Sequence, residues 1–262
     1  MEFETLDFEI KDNVAHLTLN RPKAANAINL AMGRDLMQAA LLCDEEPSVR
    51  AVLISANGKM FCAGGDLASF ADAGDDMPRL LKELTKHLHS AISSLARCNA
   101  PVIAAVGGAA AGAGFSLTTA ADLVVASESA RFTLAYTQVG LTPDGSSTHF
   151  LPRLIGRRRS LELMLLNRAL TAEEALDWGL VNQVVPDDEL EAAAGKLAKR
   201  LAAGPTLAFG ATKRLIAASD PDILETQMEL ESRAIADASR TSDAKAGIQA
   251  FFAKERPTFA GK

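Results

Sequence analysis

Residues 101–114 read PVIAAVGGAAAGAG. The first six are those of a short buried strand: a proline to open it, then an apolar run with three β-branched residues, Val102, Ile103 and Val106. Gly107 and Gly108 break that run, and a second set of small residues leads into a helix-like segment. Residues 98–121 carry no charge, a length that could cross a bilayer. The glycines at 107, 108, 112 and 114 argue instead for a buried strand, a turn and a helix, the unit of an α/β fold.

Outward from this stretch the same unit recurs. Upstream, residues 78–97 place Leu81, Leu84, Leu88, Ile92 and Leu95 at helical spacing. Before them, AVLISA (51–56) reads as a buried strand that leads into the glycine-bearing loop NGKMFCAGGDL. A helix is expected over 30–46, and residues 2–10 and 13–19 alternate around KDN as a hairpin does. Downstream, DLVVAS is a further strand. Beyond residue 185 the character changes to successive helices, separated by Gly204-Pro205 and Asp220-Pro221. The expected organisation is a core over 1–190 that holds the site and a helical region over 191–262 that packs on it or on a neighbouring subunit.

Composition narrows the function classes. The chain has 262 residues, 48% hydrophobic and 23% charged, as a globular protein does. Its net charge of −6 gives no general basic field for nucleic acid, so an anionic ligand needs a local basic group. Three scattered cysteines form neither a disulfide framework nor a metal site and suit a reducing cytoplasm, and no metal site is expected elsewhere. The acidic N-terminus is not a targeting peptide, and no membrane span is expected.

The glycine stretch is not a dinucleotide fingerprint. A GxGxxG register would need glycine where Leu117 stands, and no phosphate-loop pattern occurs. Two loops of small residues can instead bare backbone N–H groups toward one carbonyl oxygen. Such an oxyanion hole is worth about 2.7–4 kcal/mol per donor. For either loop alone, close packing of helix on sheet is the favoured explanation; the two together, one of them reading FCAGGDL, tip the balance to the oxyanion hole.

Several stretches together resemble the crotonase superfamily, the enoyl-CoA hydratase/isomerase family: NRPKAANAIN, FCAGGDL, PVIAAVGGAAAGAG, LTAEEALDWGLVNQVVP and FFAKERPTFAGK, in that order. The resemblance implies a spiral of ββα turns with a C-terminal helical region, homotrimers or pairs of trimers, and an acyl-CoA thioester as substrate. No cofactor beyond that coenzyme A is implied. By position, the N–H groups of Gly65 and Ala113, beside Gly114, would form the oxyanion hole. Ala25, Ala63, Asp66 and Leu67 would lie along the coenzyme A, with Lys23 and Lys254 as phosphate contacts; both lysines read equally well as solvated surface charges.

The family's hydratases use two glutamates, and the matching positions here are Ser116 and Tyr136. Neither can act as a carboxylate base near neutral pH. The acid that remains is Asp144, within GLTPDGSSTH (140–149). Its neighbourhood is similar to the ring-1,2-epoxyphenylacetyl-CoA isomerase and Δ3,Δ2-enoyl-CoA isomerase subgroup, where a lone acid carries a proton from C2 to C4. Asp144 also reads as a turn residue in PDG. Three alternatives stay open: a hydratase with non-standard acids, an enzyme like 4-chlorobenzoyl-CoA dehalogenase with His89 beside a nucleophilic Asp144, and a non-catalytic acyl-CoA binder.

Overall fold

A computed structural model describes residues 3–219 and 223–262; the expected break at Asp220-Pro221 lies outside them. The chain opens with strands β1 (Leu6–Lys11) and β2 (Val14–Leu19), paired antiparallel. Asp12 and Asn13 both adopt positive φ, as the tight turn of a right-twisted hairpin requires. Helix α1 (Leu30–Glu45) follows, capped by the Asn29 side chain on the Met32 N–H. Next come β3 (Ala51–Ala56), α2 (Leu67–Asp72) and the long amphipathic α3 (Met77–Arg97).

The opening stretch resolves into β4 (Val102–Val106), β5 (Ala109–Ala111) and α4 (Ala113–Ala120). The short β5 was not foreseen, since three alanines carry no strand signal. After it come β6 (Leu123–Ser127), β7 (Arg131–Thr133), α5 (Ser147–Ile155), α6 (Arg157–Leu166), β8 (Leu170–Thr171), α7 (Ala172–Asp177) and β9 (Gln183–Val185). Helices α8 (Leu190–Ala202), α9 (Thr206–Ala218), α10 (Leu224–Ser239) and α11 (Ser242–Ala253) complete the chain. Among the described residues no helix is long and apolar enough to cross a membrane.

Two sheets organise these elements. The larger has the order β1-β2-β3-β4-β6-β9, parallel from β2 onward, and the smaller is β5-β7-β8. Each successive turn of chain lays one strand on the large sheet, and isolated bridges from Ile28 to Gly65 and Cys62 to Ala110 carry the loops across the small one. Strand alternation sorts the core. Leu17, Val52, Ile54 and Ala104 face the main core with α1 and α3, while Val14, Leu53, Ile103 and Val125 meet Ala194 and Ala198 of α8. A partly buried ion pair pins α9 beside the end of α3. Lys213 Nζ lies 2.8 Å from Asp122 Oδ2 and donates to the carbonyls of Leu95 and Ala100 at 3.0 Å each. Helix α10 has no buried residue, and Leu224, Met228, Ile235, Phe251 and Phe252 are exposed.

Candidate functional site

Strands β3, β4 and β6 are parallel neighbours, so the segments that leave their C-terminal ends emerge at one edge of the sheet. Ligand sites in parallel sheets gather at that edge. Here the three segments carry residues 57–66, 107–112 and 128–146. They meet over a cavity of about 320 Å³ lined by Ala63, Gly65, Leu67, Ala113, Tyr136 and Asp144, among others.

The amides of the first loop show what it is built to present. Cys62 N–H donates to Ala109 O, Ala63 N–H to Ala25 O, and Asp66 N–H to Ile28 O, at 3.1, 3.0 and 3.1 Å. Gly64 N–H faces Cys62 Sγ at 3.4 Å. Among the described residues the Gly65 N–H alone in this run has no acceptor. In the second loop, Ala111 N–H and Gly112 N–H are taken by Cys62 O and Thr133 O. Ala113 then opens α4, where an N–H has no partner within the helix. Two unpaired donors thus line one cavity, the second at the positive end of a helix.

Close approach of the two loops depends on glycine. A Cβ on Gly64, whose φ is +99°, would lie 3.0 Å from Ala111 O, and one on Gly114 would lie 2.5 Å from Cys62 Cβ. Gly114 itself is packed behind the cavity wall rather than lining it. Burial pushes the Cys62 thiol up to about 12, so it stays a neutral packing group between the loops.

Asp144 stands at a turn and also faces the cavity, so the two sequence readings coincide in one residue. Gly145 and Ser146 follow it with positive φ, and Asp144 O accepts from the Ser147 hydroxyl at 3.0 Å. The side chain is 26% exposed and lies 3.6 Å, Oδ2 to Nε2, from His89, itself 50% exposed. Gly145 N–H donates to His89 Nε2 at 3.2 Å. A backbone N–H can only donate, so in the neutral ring the proton sits on Nδ1. His87, two positions earlier on α3, contacts Met37 Sδ instead, at 3.4 Å.

Tyr136 Oη donates to Asp144 Oδ1 and lies 3.1 Å from Ser116 Oγ. The two positions matched to the hydratase glutamates therefore touch each other, and Asp144 completes the cluster. Ser116 is fully buried behind Tyr136 and does not reach the cavity. Burial, with the Asp144 charge second, drives the phenol's pKa upward, so Tyr136 remains a donor.

The remaining candidates spread along the mouth and beyond it. Ala25, in the left-handed region, is hydrogen-bonded to Ala63. Leu67 is exposed at the rim. Asp66 is committed within the chain: it caps α2 through Ser69 N–H and pairs with Arg21 at 3.0 Å. Burial opposes its charge, but Ser69 and Arg21 outweigh that and hold its carboxyl below the usual range. Lys23 and Lys254 are exposed and outside the cavity lining, Lys254 as the C-cap of α11. The residues that sequence reading left out are the apolar walls, chiefly Phe70, Leu81, Leu84, Leu88, Leu134 and Leu141. Their signal was present as the α3 stripe, but a stripe that lines a pocket reads the same as one that fills a core.

A family model described as Enoyl-CoA hydratase/isomerase matches residues 9–262. A probable enoyl-CoA hydratase of Rhodobacter capsulatus is 39% identical over 262 residues, 100% of both chains. The 1,2-epoxyphenylacetyl-CoA isomerase of Escherichia coli K12 is 38% identical over 254 residues, 97% of each. Among solved structures, a putative enoyl-CoA hydratase from Streptomyces coelicolor A3(2) superposes with a TM-score of 0.94 at 34% identity. It covers 100% of this chain and 96% of that one.

Proposed function

The chain belongs to the enoyl-CoA hydratase/isomerase family, and from that premise we propose that it moves a carbon–carbon double bond in an enoyl-CoA thioester. Asp144 is the base. The thioester oxygen is received by the N–H groups of Gly65 and Ala113, which stabilise the negative charge that develops there as C2 loses its proton. Asp144 takes that proton and returns it at C4, so the dienolate collapses to the shifted alkene. The observation that carries this reading is one carboxylate opposite two unpaired amides, with a hydroxyl and a phenol where a hydratase needs glutamates. With no second carboxylate to grip it, a water molecule is not activated for addition.

Ala25, Ala63 and Leu67 would border the coenzyme A, with Asp66 shaping the loop from behind and Lys23 and Lys254 toward the phosphates. No further cofactor enters this chemistry. Residues 191–262 would build a homotrimer or a pair of trimers by covering the exposed apolar side chains of α10 and α11, in a cytoplasmic protein.

The test is a paired assay of the purified protein on trans-3-hexenoyl-CoA and on crotonyl-CoA. Isomerisation of the first without hydration of the second supports the proposal; hydration of crotonyl-CoA at an enzymatic rate overturns it. A second reading rests on the 3.6 Å approach of His89 to Asp144: an aspartate nucleophile with a histidine nearby, as in aryl-CoA dehalogenation. Release of chloride from 4-chlorobenzoyl-CoA would favour it.

A further inference from the structure

Tyr136 is the only tyrosine in the chain, and its hydroxyl sits between two others. It donates to Asp144 Oδ1 and contacts Ser116 Oγ at 3.1 Å. The phenol has a single proton, already given to the carboxylate, so across the 3.1 Å contact Ser116 is the donor, its one proton shared with the Gly112 carbonyl at 3.3 Å. The order is Ser116 O–H to Tyr136 O–H to Oδ1, two dipoles in series aimed at one oxygen. From α3, His89 Nε2 is committed to the Gly145 N–H and stands 3.6 Å from Oδ2. Among the described residues no other donor reaches the carboxylate.

We infer that Tyr136 is a positioning residue that occupies one oxygen of Asp144 and leaves Oδ2 as the atom that carries the proton. This rests on the isomerase reading proposed above. In the step, the C2–H bond breaks, its electron pair enters the thioester as an enolate, and the proton joins Oδ2. The pair then moves to C4, the Oδ2–H bond breaks and a C4–H bond forms, so Asp144 ends as it began. A carboxylate free to rotate would offer either oxygen at varying distance from C2 and C4. A second carboxylate in place of the phenol would share a proton with Asp144. A neutral donor avoids that and still fixes the direction, with Ser116 fixing the phenol in turn.

The experiment compares wild type, Tyr136→Phe, Ser116→Ala and Asp144→Asn. Tyr136→Phe is expected to lose about 10²-fold in kcat on trans-3-hexenoyl-CoA with KM nearly unchanged, the scale of a misplaced reacting group. Ser116→Ala should lose less. Because Tyr136 is the only phenol, the near-ultraviolet difference spectrum between variants at pH 7 reads its hydrogen bond directly. A carboxylate is a stronger acceptor than an amide, so the phenol band of wild type should lie to the red of that of Asp144→Asn. Unchanged kcat in Tyr136→Phe, or a phenol band at the same wavelength in wild type and Asp144→Asn, overturns the inference. A wild type that turns over no 3-enoyl thioester removes the isomerase reading, and the positioning role with it, even where the spectrum shows the Tyr136–Asp144 contact.

Discussion

Gly114→Ala is the substitution whose effect can be worked most fully from the structure. A Cβ there would lie 2.5 Å from Cys62 Cβ, 2.6 Å from Cys62 O and 2.8 Å from Cys62 Sγ. Ordinary contact begins at 3.4 Å, so the first residues of α4 and the loop at Cys62 must separate by roughly 1 Å (3.4 − 2.5 = 0.9). The obstacle includes backbone, because Cys62 O is held by Ala111 N–H at 2.8 Å. The movement opens the gap between the Ala113 and Gly65 amides, the two that would have to converge on one oxygen. Overpacking of this kind costs about 1–3 kcal/mol, which a domain of ordinary stability survives folded. Disabling one donor costs about 10²–10³ in kcat. The assay is isomerisation of trans-3-hexenoyl-CoA alongside a thermal melt. Gly195→Ala in α8 is the control, since its Cβ meets nothing within 4 Å; it should keep full activity and gain about 0.5–1 kcal/mol. A folded Gly114→Ala protein with wild-type kcat would refute the loop-spacing argument.

Lys213→Met leaves the Asp122 carboxylate, 27% exposed and still held by the Val102 N–H, without its cation, and a loss of about 1–3 kcal/mol in chemical denaturation is expected, with kcat unchanged in the folded fraction. Cys43 and Cys62 are raised from 9.0 to about 12 by burial, so the folded state keeps both thiols protonated. Their contribution to stability is complete below pH 9 and is lost as pH rises toward 12, because only the unfolded chain ionises in that window. Denaturation midpoints at pH 8, 9.5 and 11 should fall in that order, and thiol reagents at pH 8 should leave Cys43 and Cys62 unmodified until the protein unfolds.

Much of the fold was legible because its signals are local. The strand 51–56 agrees residue for residue, and the expected helices over 30–46 and 78–97 each differ from the observed ones by one terminal residue. The Asp12-Asn13 turn needs two left-handed residues, and the sequence supplies two that tolerate them. What stayed hidden depends on long-range pairing. The strand at Ala109–Ala111 exists because Cys62 and Phe132 flank it, and three alanines do not announce that. The candidate site divides along the same line. Glycine loops and a lone aspartate are visible in one dimension, but contact among Ser116, Tyr136 and Asp144 requires α4 and the segment after β7 to meet. Asp66 shows the converse. Its place in FCAGGDL suggested a ligand contact, and its carboxylate is spent on Arg21 and the start of α2.

The proposed isomerisation requires that two amides and one carboxylate together make a thioester enolate. Hydrogen exchange at C2 of hexanoyl-CoA, a saturated thioester that can neither isomerise nor hydrate, followed by NMR in deuterium oxide, tests it most directly. Wild type should exchange the C2 hydrogens above the buffer rate, and Asp144→Asn should bind the thioester without exchanging them. Exchange that persists in Asp144→Asn, or a wild type that binds hexanoyl-CoA and leaves C2 untouched, would contradict it.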